Sequence, residues 1–500
     1  MIERVKLKMG QRPPNIILIV MDTVRADHLS CYGYYRRTTP NIDEIAKRGT
    51  LYQNAFSAAP WTPPSHASFF TGKYPSCHKT IGKKVSFNKE NVTIAEVLSE
   101  HGYRTIGITC CQILGSGSGF EKGFNEYVEL KDGFLSNPKF KKLLFKEVIR
   151  KFIYGPDKST YLATEMIKSF LRRNHMKKRP FFLFVNYFTS HTAYDPPKPF
   201  KKRFCGSFSE SKFYVQEFLA NKILGKTTEK ISNHNLDIQK LKWIASGSGG
   251  LSFVAKEISI SEKEWEVVKS WYDGEIAYLD YQIGNLVDFL VENDMFDDTF
   301  LIITSDHGEN FGEHGLAIHP LGLYDNILQV PLIMSCPSLI PEEKRISSLV
   351  STIDIFPTAL DVASIKSGIA IQGKSLFPFE NRKIHDFVCA EYGGLHKGGF
   401  AGLKAWKISP TTRNKLRRID KGCKCIRTIT HKYIWSPQKE ELYNLLNDPS
   451  EQEDISHKYP EKVKYLRRQL QNTVDISYFG PKEFEEKQEM LNRLRALGYI

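Results

Sequence analysis

A chain of 500 residues is too long to close around one core, so more than one domain is expected. Its 41% hydrophobic, 12% aromatic and 25% charged residues are those of a globular protein and exclude a disordered or fibrous chain. No apolar run reaches the roughly 20 residues that span a bilayer, and the formal charge of +14 puts anionic partners in question.

The N-terminal stretch MIERVKLKMGQRPPNIILIVMD sets basic residues before an apolar run, as a secretory leader does. Ile16 to Met21 is too short for a leader's apolar region and is followed by charge, so it reads as a buried strand. Thr38–Arg48 opens with a capping residue and Pro, and spaces Ile42, Ile45 and Ala46 along one helical face. In AAPWTPPSHASFFTGKYP, residues 58–75, Pro63 and Pro64 mark a helix start, because a first-turn residue needs no N–H partner. Thr62 is expected at the N-cap of that helix, its hydroxyl capping the backbone or facing an anion. Thr93–His101 predicts another helix, stopped by Gly102, and Tyr103–Thr109 a strand. Phe181–Tyr187 (FFLFVNY), Thr299–Thr304 (TFLIIT) and Val330–Met334 (VPLIM) read as buried strands. Trp265–Glu292 and Gly480–Tyr499 read as helices. Gly115–Gly119 and Ser246–Gly250 fit no phosphate-loop spacing and read as flexible loops. Cys423-Lys424-Cys425 has no matching second pair and reads as a free-thiol loop, and Trp61 as core or site wall. An odd nine cysteines without a C-x-x-C imply reduced thiols and a cytoplasmic location.

Helices alternating with continuous apolar strands predict an α/β fold. A large, mostly parallel sheet sandwiched by helices is expected over residues 13–375, with 120–260 as a variable insert roofing the site. A smaller C-terminal α+β domain, 376–500, carries a short antiparallel sheet. Charge is uneven: residues 131–180 hold 14 Lys/Arg against 4 Asp/Glu, and 411–440 hold 9 against 2. Such patches suit nucleic-acid phosphates, an acidic membrane surface or small anions, or are solvated faces.

Sites in such sheets gather outside the carboxyl ends of the strands. The first strand ends in Asp22, FFLFVNY runs into Phe188-Thr189-Ser190-His191, and TFLIIT into Ser305-Asp306-His307-Gly308-Glu309. If these strands are neighbours, two carboxylates, an imidazole and the Thr62 hydroxyl converge at one edge. Asp, Asp and His are ligands suited to Mn, Mg or Zn. A metal there lowers the cost of a Thr62 alkoxide and neutralises charge on a tetrahedral or trigonal-bipyramidal centre.

These stretches resemble the sulfatase branch of the alkaline phosphatase superfamily over nearly the whole chain. NIILIVMDTVRADHLSCYGY resembles its first strand and metal-binding Asp, APWTPPSHASFFTGKYP its nucleophile motif, and LIITSDHGENFGEHG its second metal segment. FLFVNYFTSHTAYDPP resembles the segment carrying a substrate histidine, and STIDIFPTALDVASI and KEELYNLLNDPSEQEDIS resemble later segments. The resemblance implies Asp22, Thr62, Asp306 and His307 around one divalent ion, with Mn, Zn or Mg favoured over Ca. It also implies Thr62 as nucleophile, His191 against the substrate, His319 near the leaving group, and His66 where the family has Arg. The family's usual Cys or Ser at position 62 becomes formylglycine; threonine cannot form that aldehyde. Thr23 replaces the second Asp of calcium sulfatases, and His307 an Asn, which shifts preference toward Mn or Zn. The expectation is a metal-dependent hydrolase of small anionic esters, of phosphate or phosphonate more than sulfate. A true sulfuric ester hydrolase, a transferase to a sugar or lipid alcohol, and a noncatalytic anion-binding protein are the alternatives. A glycan or lipid headgroup is a candidate carrier of the ester, no specific nucleic acid is expected, and the oligomeric state is left open.

Overall fold

The computed structural model describes residues 12–81, 86–130, 157–175, 179–204, 238–319, 321–394, 409–419 and 422–475, with single positions between 150 and 155. The helix expected over Gly480–Tyr499 and the basic residues 131–149 lie outside the described residues. Eight strands form one sheet: β1 (Asn15–Met21), β2 (Thr50–Phe56), β3 (Arg104–Thr109), β4 (Glu126–Glu129), β5 (Phe181–Tyr187), β6 (Thr299–Thr304), β7 (Leu332–Ser335) and β8 (Lys344–Ser351). Their order is β4-β3-β5-β1-β6-β7-β2-β8. All pairings are parallel except those of β7, which runs against β6 and β2.

The central strands β5, β1 and β6 are buried along their length apart from Asn15, because helices cover both faces. Ile17, Ile19 and Met21 point into one core and Ile16, Leu18 and Val20 into the other, the two-residue alternation of a strand. The edge strands lacked that apolar signature. Residues of β4 are all half-buried, and β8 alternates exposed and buried positions through Lys344–Ser348. The strand expected at Val330–Met334 starts two residues later and is antiparallel.

A second sheet, β9 (Val388–Tyr392), β10 (Cys423–Arg427), β11 (His431–Trp435) and β12 (Glu440–Asn444), is antiparallel in the order β12-β11-β10-β9. The helix Pro460–Thr473 covers it with Val463, Leu466 and Leu470, spaced along one face. The α/β architecture with a small antiparallel sheet is therefore the one expected. Two local expectations are corrected. Cys423-Lys424-Cys425 is not a loop but the start of β10, where Lys424 is fully buried against Glu391. Ser246–Gly250 is not a flexible loop: the Ser246 and Gly247 N–H groups bond back to the preceding helix, and a new helix runs over Ser248–Val254. Gly249 and Gly250 permit its close packing: an added Cβ would lie 2.7 Å from Ile244 Cα and 3.2 Å from Ala317 Cβ respectively.

Candidate active site

The register pairs Val20 with both Asn186 and Thr304, so the carboxyl ends of β1, β5 and β6 lie level. The loops leaving them carry Asp22, His191 and Asp306-His307 to one edge. The helix Thr62–Thr71 is fastened to this edge by Ser57 and Ser65, whose hydroxyls donate to Asp306 O at 2.5 and 2.6 Å.

Thr62 is not the N-cap. Trp61, extended at φ −161° and ψ 165°, holds that position without a side-chain bond, and Thr62 is the first helical residue. A capping side chain bonds the N–H of the second or third helical residue. Here those residues are Pro63 and Pro64, which have no N–H. The Thr62 hydroxyl instead faces His307, with Oγ1 3.4 Å from Nε2.

Asp22, Asp306 and His307, all fully buried, each present a ligand atom within 4.8 Å of the others. Asp22 Oδ2 accepts from Asn186 Nδ2 at 3.2 Å, and Asp306 Oδ1 from the N–H groups of Thr23 (3.2 Å) and His307 (3.0 Å). The other oxygens, Asp22 Oδ1 and Asp306 Oδ2, are buried without a hydrogen-bond partner. Buried, unpaired carboxylate oxygens are costly unless a cation meets them, and this donor set fits a divalent metal ion. Burial and then the charge of Asp306 hold the Asp22 carboxyl well above its ordinary range. Burial is the largest influence on Asp306 and raises it, but the surrounding histidines and the Thr23 N–H together bring that carboxyl below its ordinary range. Opposite shifts on two adjacent acids mark a pair that resists carrying two charges.

Four histidines share one orientation. Nδ1 lies 2.9 Å from Gly308 O in His307, 2.7 Å from Thr192 O in His191, and 2.9 Å from Thr62 O in His66. In His319 it lies 3.2 Å from Glu309 Oε1. Carbonyls and carboxylates only accept, so each Nδ1 carries the hydrogen and each neutral ring keeps a lone pair on Nε2. The His319 ring centroid is 4.4 Å from that of His307 and 4.8 Å from that of His191, so the three rings form one cluster, of which His307 meets the Thr62 hydroxyl. Burial pushes His191 and His319 well below the usual histidine range. His66 is pushed down to about 4, again by burial. Its ring sits behind the helix among Phe69, Phe70, Phe120 and Phe184, with Nε2 3.4 Å from Asn186 Nδ2.

Three residues went unnoticed in the sequence. Asn186 is a lone polar residue inside an apolar strand, a signal that could have found it. Glu309, pushed up to about 7 by burial, accepts from the Tyr194 hydroxyl at 2.7 Å while it orients His319. Lys158, within the insert, reaches the carbonyls of Thr189 and His191, and no motif pointed to it. Among the described residues, no helix is long and apolar enough to cross a membrane.

The family model described as Sulfatase matches residues 14–365. The arylsulfatase of Clostridium perfringens is 27% identical over 509 residues, covering 91% of this chain and 93% of that protein. A solved structure in complex with its substrate D-glucosamine-2-N,6-O-disulfate matches with a TM-score of 0.68 at 20% identity, covering 94% of this chain and 98% of the other. The phosphonate monoester hydrolase of Agrobacterium radiobacter matches with a TM-score of 0.65 at 20% identity, covering 91% and 96%.

Proposed function

The chain belongs to the sulfatase family, and from that premise we propose that it hydrolyses anionic esters with Thr62 as nucleophile, phosphate and phosphonate esters faster than sulfate esters. The observation that carries this reading is the Thr62 hydroxyl. It has no capping task, stands at the head of its helix, and lies 3.4 Å from His307 Nε2 beside the Asp22–Asp306 gap. Its solved neighbours include one in complex with D-glucosamine-2-N,6-O-disulfate and a phosphonate monoester hydrolase, so the fold is compatible with either ester, and in this reading the threonine at position 62 favours phosphorus.

Asp22, Asp306 and His307 would hold a divalent cation, which would supply charge neutralisation and ease loss of the hydroxyl proton. Thr62 Oγ1 forms a bond to phosphorus as the bond to the leaving oxygen breaks, and its proton is released to solvent. The leaving oxygen is protonated by way of His319 Nε2, whose lone pair first takes a proton from solvent and then passes it on, with Glu309 at Nδ1 stabilising the transient imidazolium. His191 Nε2 then accepts a proton from the water that attacks phosphorus, and the P–Oγ1 bond breaks to restore Thr62. His66 braces the Thr62 carbonyl and Asn186 and moves no proton. Thr62 bears a methyl group on Cβ, so it cannot form the aldehyde hydrate that expels sulfate from a covalent intermediate. A phosphorus ester, by contrast, can be opened by water.

A cytoplasmic location belongs to this reading, supported by eight described cysteines, all free, and is checked by cell fractionation. The main test compares phosphate, phosphonate and sulfate esters of one alcohol. The phosphorus esters are expected to turn over faster, and acid-quenched enzyme to carry a phosphoryl group on the peptide containing residue 62. Faster sulfate turnover by the unmodified threonine protein overturns the preference and restores the sulfuric ester hydrolase.

A further inference from the structure

The turn that carries His191 is held from beneath by a residue of the insert. Lys158 and Ser159 are consecutive non-glycine residues in the left-handed region, at φ 52° and 65°, a conformation side-chained residues rarely adopt. Their neighbours over-determine it. Asp157 accepts from Arg150, from the Tyr278 hydroxyl at 2.6 Å and from the Tyr161 N–H at 2.9 Å. Thr160 Oγ1 donates to Asp157 O at 2.6 Å and meets Thr189 Oγ1 at 2.7 Å.

The outcome is the placement of one ammonium group. Lys158 Nζ donates to Thr189 O, His191 O and Glu275 Oε1, the last at 3.0 Å. An ammonium has three donors, so all are used. Glu275, almost fully buried on the long helix Glu262–Glu292, also accepts the Asp195 N–H at 2.9 Å. The middle carbonyl of the turn, Ser190 O, accepts from Thr23 Oγ1 at 2.8 Å, while Ser190 Oγ donates to Asp22 O at 2.7 Å. All three carbonyls of Thr189-Ser190-His191 are therefore clamped, two of them by Lys158. The ring of His191 then has its Nδ1 fixed by Thr192 O and its face stacked on Phe188, centroids 4.1 Å apart.

We propose that Lys158 is a positioning residue: from the insert, and without touching substrate, it fixes the turn that aims His191 Nε2 at the ester. This rests on the reading of His191 as part of the site. Lys158→Met keeps a long side chain but removes the ammonium donor from two carbonyls and leaves Glu275 with only the Asp195 N–H. Because small misplacements of reacting groups are costly, kcat is expected to fall roughly 10- to 100-fold with KM and bound metal little changed. In a His191→Ala background the same substitution is expected to cost nothing further, whereas general damage to the fold would add its full effect. Nitrogen-15 NMR of the imidazoles gives a readout besides turnover: the His191 signals move in Lys158→Met while those of His78 stay. If the unsubstituted protein turns over no ester, the functional reading falls, yet the NMR comparison still decides the role of Lys158. Should Lys158→Met fail to fold, Glu275→Gln, which retains an acceptor and loses the counter-charge, is expected to give a smaller loss that also vanishes with His191→Ala. Unmoved His191 signals in a folded variant, or an equal loss in the His191→Ala background, overturns the proposal.

Discussion

Two prolines determine what the Thr62 hydroxyl is free to do. With Pro63 and Pro64 as the second and third helical residues, the donors a capping oxygen needs are missing, so an oxygen here gains nothing by turning back to the backbone. Thr62→Ala should thus leave the stability curve nearly unchanged, where loss of a true cap costs on the order of 1 kcal/mol. Turnover of phosphorus esters should vanish with metal content intact, and Thr62→Ser, which retains a hydroxyl, should keep part of it. The neighbouring ligands give a separate expectation. Elemental analysis should find about one divalent ion per chain, given one Asp/Asp/His set among the described residues. Asp306→Asn or His307→Ala should lower that content, and chelation should abolish activity. Active protein free of metal would refute the assignment.

The short helix Pro75–His78 shows a histidine used in the opposite sense to those of the site. The Thr80 N–H donates to His78 Nδ1 at 3.0 Å, so Nε2 carries the hydrogen and donates to Ser68 Oγ, also at 3.0 Å. The ring ties this segment to the helix Thr62–Thr71 and is fully buried, and burial pushes it down to about 3. Its unfolded value is about 6.5, so between these limits the unfolded chain binds a proton that the native one does not. The stabilising contribution is complete above pH 6.5 and declines as pH falls toward 3, by at most about 1.4 kcal/mol per pH unit. Denaturant midpoints measured across that window should fall less steeply in His78→Gln than in the unsubstituted protein. Parallel curves would show that the ring is not held neutral.

At the scale of the whole molecule, three of the nine basic residues of 411–440 face inward. Lys432 Nζ lies 2.7 Å from Asp325 and 2.9 Å from Glu451, and Arg427 Nε lies 3.0 Å from Asp325. Lys424 pairs with Glu391 at 2.8 Å. All three cations are buried; Lys432 and Arg427, through Asp325, tie the small sheet to the segment following the Asp306-His307 loop, while Lys424 is paired within the sheet. Lys432→Met leaves two buried carboxylates short of their cation and should destabilise by about 3–5 kcal/mol, read from urea unfolding. With these charges spent internally, DNA or RNA is expected to bind weakly, with salt-sensitive affinity and no competition with small esters. Nanomolar binding at physiological salt would overturn that view.

The sequence by itself determined the central strands and the residues at their ends. Strands buried on both faces are mostly apolar, so β1, β5 and β6 stood out, and Asp22 and Asp306-His307 were conspicuous as the first potential metal ligands beyond two of them. It did not determine the edge strands, whose half-exposed positions tolerate polar side chains, nor the order β5-β1-β6 that brings those ends together. Only the tertiary structure turned the Thr62 hydroxyl from a cap toward His307, and only it set Lys158 beneath His191. Lys158 meets groups 31, 33 and 117 residues away along the chain. Periodicity records which face of an element is buried; which distant carbonyl a buried ammonium will reach is settled by packing, and leaves no local pattern to read.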